Sequence, residues 1–170
     1  MSPVKEVALE YGIPVFQPQR IRVDGIDDLK ALAPDLCVTA AFGQILSQEV
    51  LDVPKLGTVN VHASLLPRHR GAGPIQWAML SGDPVTGVTT MLTDAGIDTG
   101  DMLLQAALPI TDEDTTGTMF DKLAELGGRL LIDTLAGLEA GTIVPQKQDD
   151  SKATHAARIL KEDEVIHWDD

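Results

Sequence analysis

The stretch that decides the fold is "VNVHASLLPRHRGAGPIQWAML", Val59 to Leu80. It joins a β-branched apolar run to a loop rich in proline, arginine and glycine, and that loop to an apolar segment of helical spacing. Such a pattern reads as strand, loop, helix. Alternation along Thr58-Val59-Asn60-Val61-His62 places Asn60 and His62 on one face of the strand and the two valines on the other. The polar pair lies at the strand's C-terminal end, the edge that carries ligands in open α/β sheets. A plain connection is usually about 2–6 residues long. The loop from Ala63 is longer than that and brings backbone donors and acceptors beside the pair.

Working outward, the same alternation of strands and helices continues in both directions. Ser2-Pro3 is an N-cap followed by proline at the first helical position, and Val4, Val7, Ala8 and Tyr11 recur at helical spacing. "IPVF" reads as a short strand, and "DGIDDLKALAP" as a short helix ended by Pro34. The nearly unbroken apolar run Asp35 to Phe42 reads as a strand covered on both faces, as in a parallel sheet. "GQILSQEVLDV" reads as a helix. "TGVTTMLTD" and "GDMLLQAALPI" read as strands, and Thr115 to Leu138 as a long helix weakened by Gly127 and Gly128. The tail from Val144 is polar, with room for a short strand pair. The order implies an α/β domain with a mainly parallel sheet.

Composition narrows the function classes. Apolar residues are 44% and charged residues 23% of the chain, as in an ordinary globular domain. No apolar run approaches the roughly 20 residues that span a bilayer, and no leader precedes the first helix, so a cytoplasmic, non-membrane setting is the default. The net charge of −13 opposes unassisted binding to phosphate backbones. The one dense basic patch is Arg68-His69-Arg70, whose arginines are either solvated or hold an anionic group. Cys37, the single cysteine, reads as a small buried hydrophobe.

A second polar loop, "DAGIDTGDML", also leaves a strand end. Asp94, Asp98 and Asp101 with Gly96 and Gly100 form either a turn or part of a site. Ca²⁺-loop spacing, zinc spacing, a G-x-S-x-G elbow and a phosphate-cradling glycine motif are all missing from the sequence. That removes the commonest hydrolase, kinase and dinucleotide classes. Trp77 reads as core. His155, His167 and Trp168 read as packing or surface residues.

The stretch from "NVHASLLPRHRGAGPIQWA" through "MLTDAGIDTGDML" strongly resembles the folate-dependent formyltransferase family. "SPVKEVALEYGIPVFQP", "AAFGQIL" and "KEDEVIHW" extend the resemblance over essentially the whole chain and favour the methionyl-tRNA branch. The resemblance implies a Rossmann-like formyltransferase domain over residues 1–150, with 151–170 starting a connection to a further domain. The resemblance further implies that the chain is N-terminally truncated, without an upstream strand-loop-helix-strand unit that carries a basic loop, and without a C-terminal barrel-like domain. The implied catalytic trio is Asn60, His62 and Asp98. The implied folate contacts are Ser64, Leu65, Leu66 and Pro67, with the "AFGQIL" segment lining the pterin slot. The implied donor is 10-formyltetrahydrofolate and the implied partner is methionyl initiator tRNA. Two alternatives stay open: another formyltetrahydrofolate-using enzyme, such as a sugar-nucleotide formyltransferase or a hydrolase, and an inactive remnant that binds folate or a partner. No metal is implied.

Overall fold

The computed structural model describes residues 1–164. His167 and Trp168 therefore lie outside the described residues. The chain falls into two compact units, one formed by residues 1–37 and 42–57 and the other by 38–41 and 58 onward.

The first unit holds short helices: α1 (Pro3–Glu10), α2 (Ile21–Asp24), α3 (Ile26–Leu32) and α4 (Gln48–Leu51). Helix α1 starts as its sequence dictates: Ser2 Oγ accepts from the Lys5 amide and Pro3 occupies the first turn. None of its residues is buried. Val4, Val7, Leu9, Tyr11, Ile13 and Phe16 are all exposed. The "IPVF" segment is not a strand, because no neighbouring strand satisfies its backbone and two of its apolar side chains face outward. The helix expected over "GQILSQEVLDV" shrinks to α4, where only Val50 and Leu51 find a core.

The second unit carries the sheet. Strands β1 (Cys37–Ala40), β2 (Thr58–His62), β3 (Val85–Leu92) and β4 (Met102–Pro109) lie in the order β1-β2-β3-β4. The α/β architecture matches the pattern in the sequence, but the strand directions correct it. β2 pairs antiparallel with β3, Asn60 opposite Met91 and His62 opposite Thr89, and β3 pairs antiparallel with β4. The β3–β4 connection contains no helix, and a parallel pairing needs a crossover of roughly a dozen residues or more. Burial on both faces, seen from Thr86 through Met91, therefore marks a covered strand without fixing its direction.

Helix α5 (Pro74–Leu80) and the long helix α6 (Thr116–Glu139) cover the sheet. Helix α6 opens on a capping box, Thr115 Oγ1 accepting from the Thr118 amide and Thr118 Oγ1 from the Thr115 amide. Its buried residues Met119, Leu123, Gly127, Leu130 and Thr134 form one stripe at helical spacing. Met119, Leu123 and Leu130 pack with Ile75 and Val88 into the core, joined by Val61 and Met79. Each such apolar side chain contributes about 1.5–3 kcal/mol when fully buried. Gly127, which reads as a weakness in the helix, is what permits this contact. A Cβ there would sit 3.0 Å from Val61 Cγ1, whereas one at Gly128 would meet open space. One polar pair crosses the same interface: Thr90 Oγ1 lies 2.8 Å from Thr134 Oγ1. Thr134 Oγ1 also donates to the Leu130 carbonyl at 2.7 Å.

Cys37 is half-buried rather than sealed. Burial pushes its thiol up, which disfavours a reactive thiolate. Trp77 is half-buried, and its indole N–H donates to the Ala157 carbonyl at 2.8 Å. The strand pair suggested for the tail reduces to two single bridges, Met102 with Gln146 and Arg70 with His155.

Candidate active site

Strand β2 delivers Asn60 and His62 as alternation requires. Val59 is fully buried, Val61 packs toward α6, and the polar pair faces the other way. The loop after β3 brings Asp98 to meet them. Its Oδ2 lies 3.6 Å from His62 Nδ1 and its Oδ1 lies 3.5 Å from Asn60 Nδ2. Both distances are within electrostatic reach and at or past the limit of a hydrogen bond. The imidazole side chain is 7% exposed and the carboxylate 18%, so their field is only weakly screened by water.

Each member of the trio is held by a neighbour. Thr39 Oγ1, from β1, donates to Asn60 Oδ1 at 2.8 Å. That bond fixes the amide's orientation and turns Nδ2 toward Asp98. His62 Nε2 lies 2.9 Å from the His69 carbonyl oxygen. A carbonyl only accepts, so Nε2 carries its hydrogen and is committed. Nδ1 is then the ring nitrogen left for exchange of a proton at the site. Asp98 adopts a left-handed backbone, φ 53°, a conformation uncommon outside glycine, asparagine and aspartate. Its Oδ2 accepts from the Gly71 amide at 2.9 Å. Gly71 itself has φ 116°, and a Cβ there would lie 2.6 Å from the Ala156 carbonyl. Only glycine allows that amide to point at the carboxylate.

The basic patch of the loop is paired with acids of the chain. Arg68 Nη2 contacts both oxygens of Asp83, at 2.7 and 3.0 Å. His69 Nε2 is 2.6 Å from Asp83 Oδ2, with the imidazole buried. Burial pushes the Asp83 carboxyl up, but the hydrogen bonds from His69 and Arg68 outweigh it and hold the group below the usual carboxylate range. Arg70 Nη2 pairs with Asp150 and Nε with Gln148 Oε1. Arg68 stays half in solvent while Arg70 is mostly buried, and the anionic groups they hold are carboxylates of the chain itself, with the Gln148 amide beside Arg70. Residues after 150 also brace the loop. The His69 amide donates to Thr154 Oγ1. The Arg70 amide donates to the Thr154 carbonyl, and the Ala156 amide to the Arg70 carbonyl.

The other expected site residues fall as follows. Ser64 is fully buried and its hydroxyl donates to the Arg68 carbonyl at 2.6 Å. Leu66 is buried, its amide donating to Thr89 Oγ1 and its carbonyl accepting from Gln105 Nε2. Leu65 and Pro67 are half-buried. Phe42 and Ile45 of the "AFGQIL" segment are exposed. Asp94 belongs to a turn, accepting from the Gly96 amide and from Thr99 Oγ1. Of the three acids in that loop, only Asp98 faces the Asn/His pair in these contacts. Thr39, Gly71 and Gln148 were not singled out from sequence as site residues. Thr39 left a faint signal as the polar member of an apolar strand; the other two left none.

Residues 1–135 match the family model described as formyl transferase. The chain belongs to the formyl transferase family. It is 50% identical over 167 residues to the methionyl-tRNA formyltransferase of Citrifermentans bemidjiense, covering 98% of this chain and 52% of that protein. It is 51% identical over 170 residues to the Clostridium perfringens methionyl-tRNA formyltransferase, covering 99% of this chain and 55% of that one. The chain thus spans about half the length of these curated relatives. Among solved formyltransferases, the Bacillus halodurans phosphoribosylglycinamide formyltransferase is 31% identical with a TM-score of 0.73, over 81% of this chain and 75% of that one. The formyltransferase PseJ of Anoxybacillus kamchatkensis, solved with a sugar nucleotide and tetrahydrofolate, shares the fold at a TM-score of 0.74 and 23% identity, over 96% of this chain and 84% of that one. Among the described residues no helix is long and apolar enough to cross a membrane.

Proposed function

We propose that this chain carries the catalytic site of an enzyme that moves a formyl group from 10-formyltetrahydrofolate to the amino group of methionyl initiator tRNA. The observation that carries the proposal is the convergence of Asn60, His62 and Asp98 at the end of β2. Roughly 50% identity to methionyl-tRNA formyltransferases supports the tRNA acceptor, and the tetrahydrofolate held by PseJ supports a folate donor. The setting fits a soluble enzyme of translation in the cytoplasm.

The folate donor supplies an activated formyl carbon. Attack by the acceptor amine pushes an electron pair onto the formyl oxygen, and the Asn60 amide N–H stabilises that charge. One preorganised donor in such a place is worth about 2.7–4 kcal/mol. The amine must lose a proton and the departing folate nitrogen must gain one. His62 Nδ1, facing Asp98, is placed to carry that proton, while Nε2 stays fixed on the His69 carbonyl. Asp98, 3.6 Å from Nδ1, orients the ring. Ser64 and Leu66 shape the folate loop from within, since the Ser64 hydroxyl is bonded to the Arg68 carbonyl and the Leu66 side chain is buried. Leu65, Pro67 and the loop backbone are the groups that would meet the folate.

The test is acceptor choice. Charged initiator tRNA should be formylated with release of tetrahydrofolate, and Asn60→Ala, His62→Ala and Asp98→Ala should each lose at least about 10²-fold in kcat. Formylation of a sugar nucleotide in its place, or near-wild-type turnover in all three variants, would overturn the proposal.

A further inference from the structure

Gln148 is a buried polar residue, 5% exposed, beyond the stretch matched by the family model. Both N–H donors of its amide are used and its oxygen accepts once, so three of the four hydrogen-bonding positions are occupied. Nε2 donates to the Asp98 carbonyl at 2.9 Å and to the Gly100 carbonyl at 2.7 Å. Oε1 accepts from Arg70 Nε at 2.9 Å. The orientation is unambiguous, because two carbonyls demand a donor and a guanidinium demands an acceptor. One planar group thereby joins the Asp98 loop to the loop that supplies Gly71, whose amide donates to the Asp98 carboxylate. Asp98 is gripped twice, by its backbone carbonyl and by its side chain, in a left-handed conformation that a free chain seldom holds. Arg70 completes the arrangement, with Nη2 on Asp150 and its own amide and carbonyl paired to Thr154 and Ala156.

We infer that Gln148 is a positioning residue for Asp98: it locks the aspartate's backbone so that the carboxylate stays aimed at His62 and Asn60. This rests on the proposed formyl transfer. Glutamate at 148 still accepts from Arg70 but cannot donate to the two carbonyls. Methionine keeps the length and makes none of the three bonds. Asparagine keeps the amide but falls one methylene short.

The experiment measures formyl-transfer kinetics for Gln148→Glu, Gln148→Met and Asp98→Ala, and for the double variant Gln148→Met/Asp98→Ala. Displacement of a catalytic group by about 1 Å costs up to about 10²-fold, so both Gln148 variants should lose about 10- to 100-fold in kcat with KM for the folate nearly unchanged. In the Asp98→Ala background, Gln148→Met should add less than about two-fold, because there is no carboxylate left to misplace. A second readout needs no turnover: the Gly71 amide proton shift in Gln148→Glu should move toward its value in Asp98→Ala. Equal losses from Gln148→Met with and without Asp98, or an unmoved Gly71 shift, would overturn the inference. Wild-type turnover in Asp98→Ala alone would also overturn the inference, and near-wild-type turnover in Asn60→Ala and His62→Ala as well would sink the formyl-transfer proposal itself. If Gln148→Met does not fold, Gln148→Glu, which keeps the Arg70 contact, supplies both readouts when made alone and together with Asp98→Ala.

Discussion

Removing the Thr39 hydroxyl tests whether the Asn60 amide is aimed by its neighbour. Thr39→Val replaces one oxygen by a methyl group and leaves the shape of the half-buried side chain intact. The lost contact is a 2.8 Å neutral hydrogen bond to Asn60 Oδ1. A bond of that kind contributes about 0.5–1.5 kcal/mol net. Asn60 Nδ2 also lies 3.5 Å from Asp98 Oδ1, a weak contact that still disfavours the flipped amide, because flipping would set oxygen against oxygen. Thr39→Val should therefore loosen the amide without reversing it. Converted at about 1.36 kcal/mol per tenfold, the expected loss in kcat is about 2- to 12-fold. Asn60→Ala removes the donor altogether and should cost about 10²- to 10³-fold. The assay is release of tetrahydrofolate at saturating donor and acceptor, with thermal melts to confirm that both variants fold. Thr39→Val matching Asn60→Ala, or leaving kcat unchanged, would refute the claim that Thr39 orients the amide.

Three further outcomes follow from the packing and the charges. Gly128→Ala should stabilise the chain by about 0.5–1 kcal/mol, since the position is open and alanine favours a helix. Gly127→Leu should destabilise it by at least about 1–3 kcal/mol, because the side chain must enter the space held by Val61; equal behaviour of the two in urea titrations would contradict the close approach of α6. Asp114 is held well below the usual carboxylate range by Lys122, and then by bonds from Thr111 and Thr118. A depressed carboxyl contributes stability that is present above its ordinary pKa near about 4 and lost as pH falls through the folded value. Asp114→Asn should thus be less stable than wild type at neutral pH, with the gap closing below about pH 4; a gap constant across that range would count against this. The exposed apolar residues of the first unit, Val4, Val7, Leu9, Tyr11, Ile13 and Phe16, should make the isolated chain bind a hydrophobic dye while native, and a native chain that binds none would contradict that picture.

Much of the site was legible because its signals are local. Asn60 and His62 are two residues apart on one strand, and alternation alone sets them on one face. The glycine-punctuated loop around Asp98 announces a strand end. What could not be read depends on tertiary pairing. The apolar run at Asp35 looks covered on both faces, yet β1 alternates half-buried and exposed residues; the strands after it carry burial but not direction, so antiparallel pairing of β2 with β3 was hidden. The arginines of "RHR" look available until Asp83 and Asp150, distant in sequence, are seen to pair with them. "IPVF" has strand composition but no partner strand. Gly127 looks like a helix defect until Val61 is placed against it. Gln148 sits in a polar tail where nothing distinguishes it from a solvated residue.

The most direct test is a crystal structure with a non-reactive formyl analogue, 5-formyltetrahydrofolate, soaked or co-crystallised. The formyl carbonyl should lie within about 3–3.5 Å of Asn60 Nδ2, beside the His62–Asp98 pair. A formyl group bound firmly elsewhere, with Asn60, His62 and Asp98 untouched, would contradict the assignment.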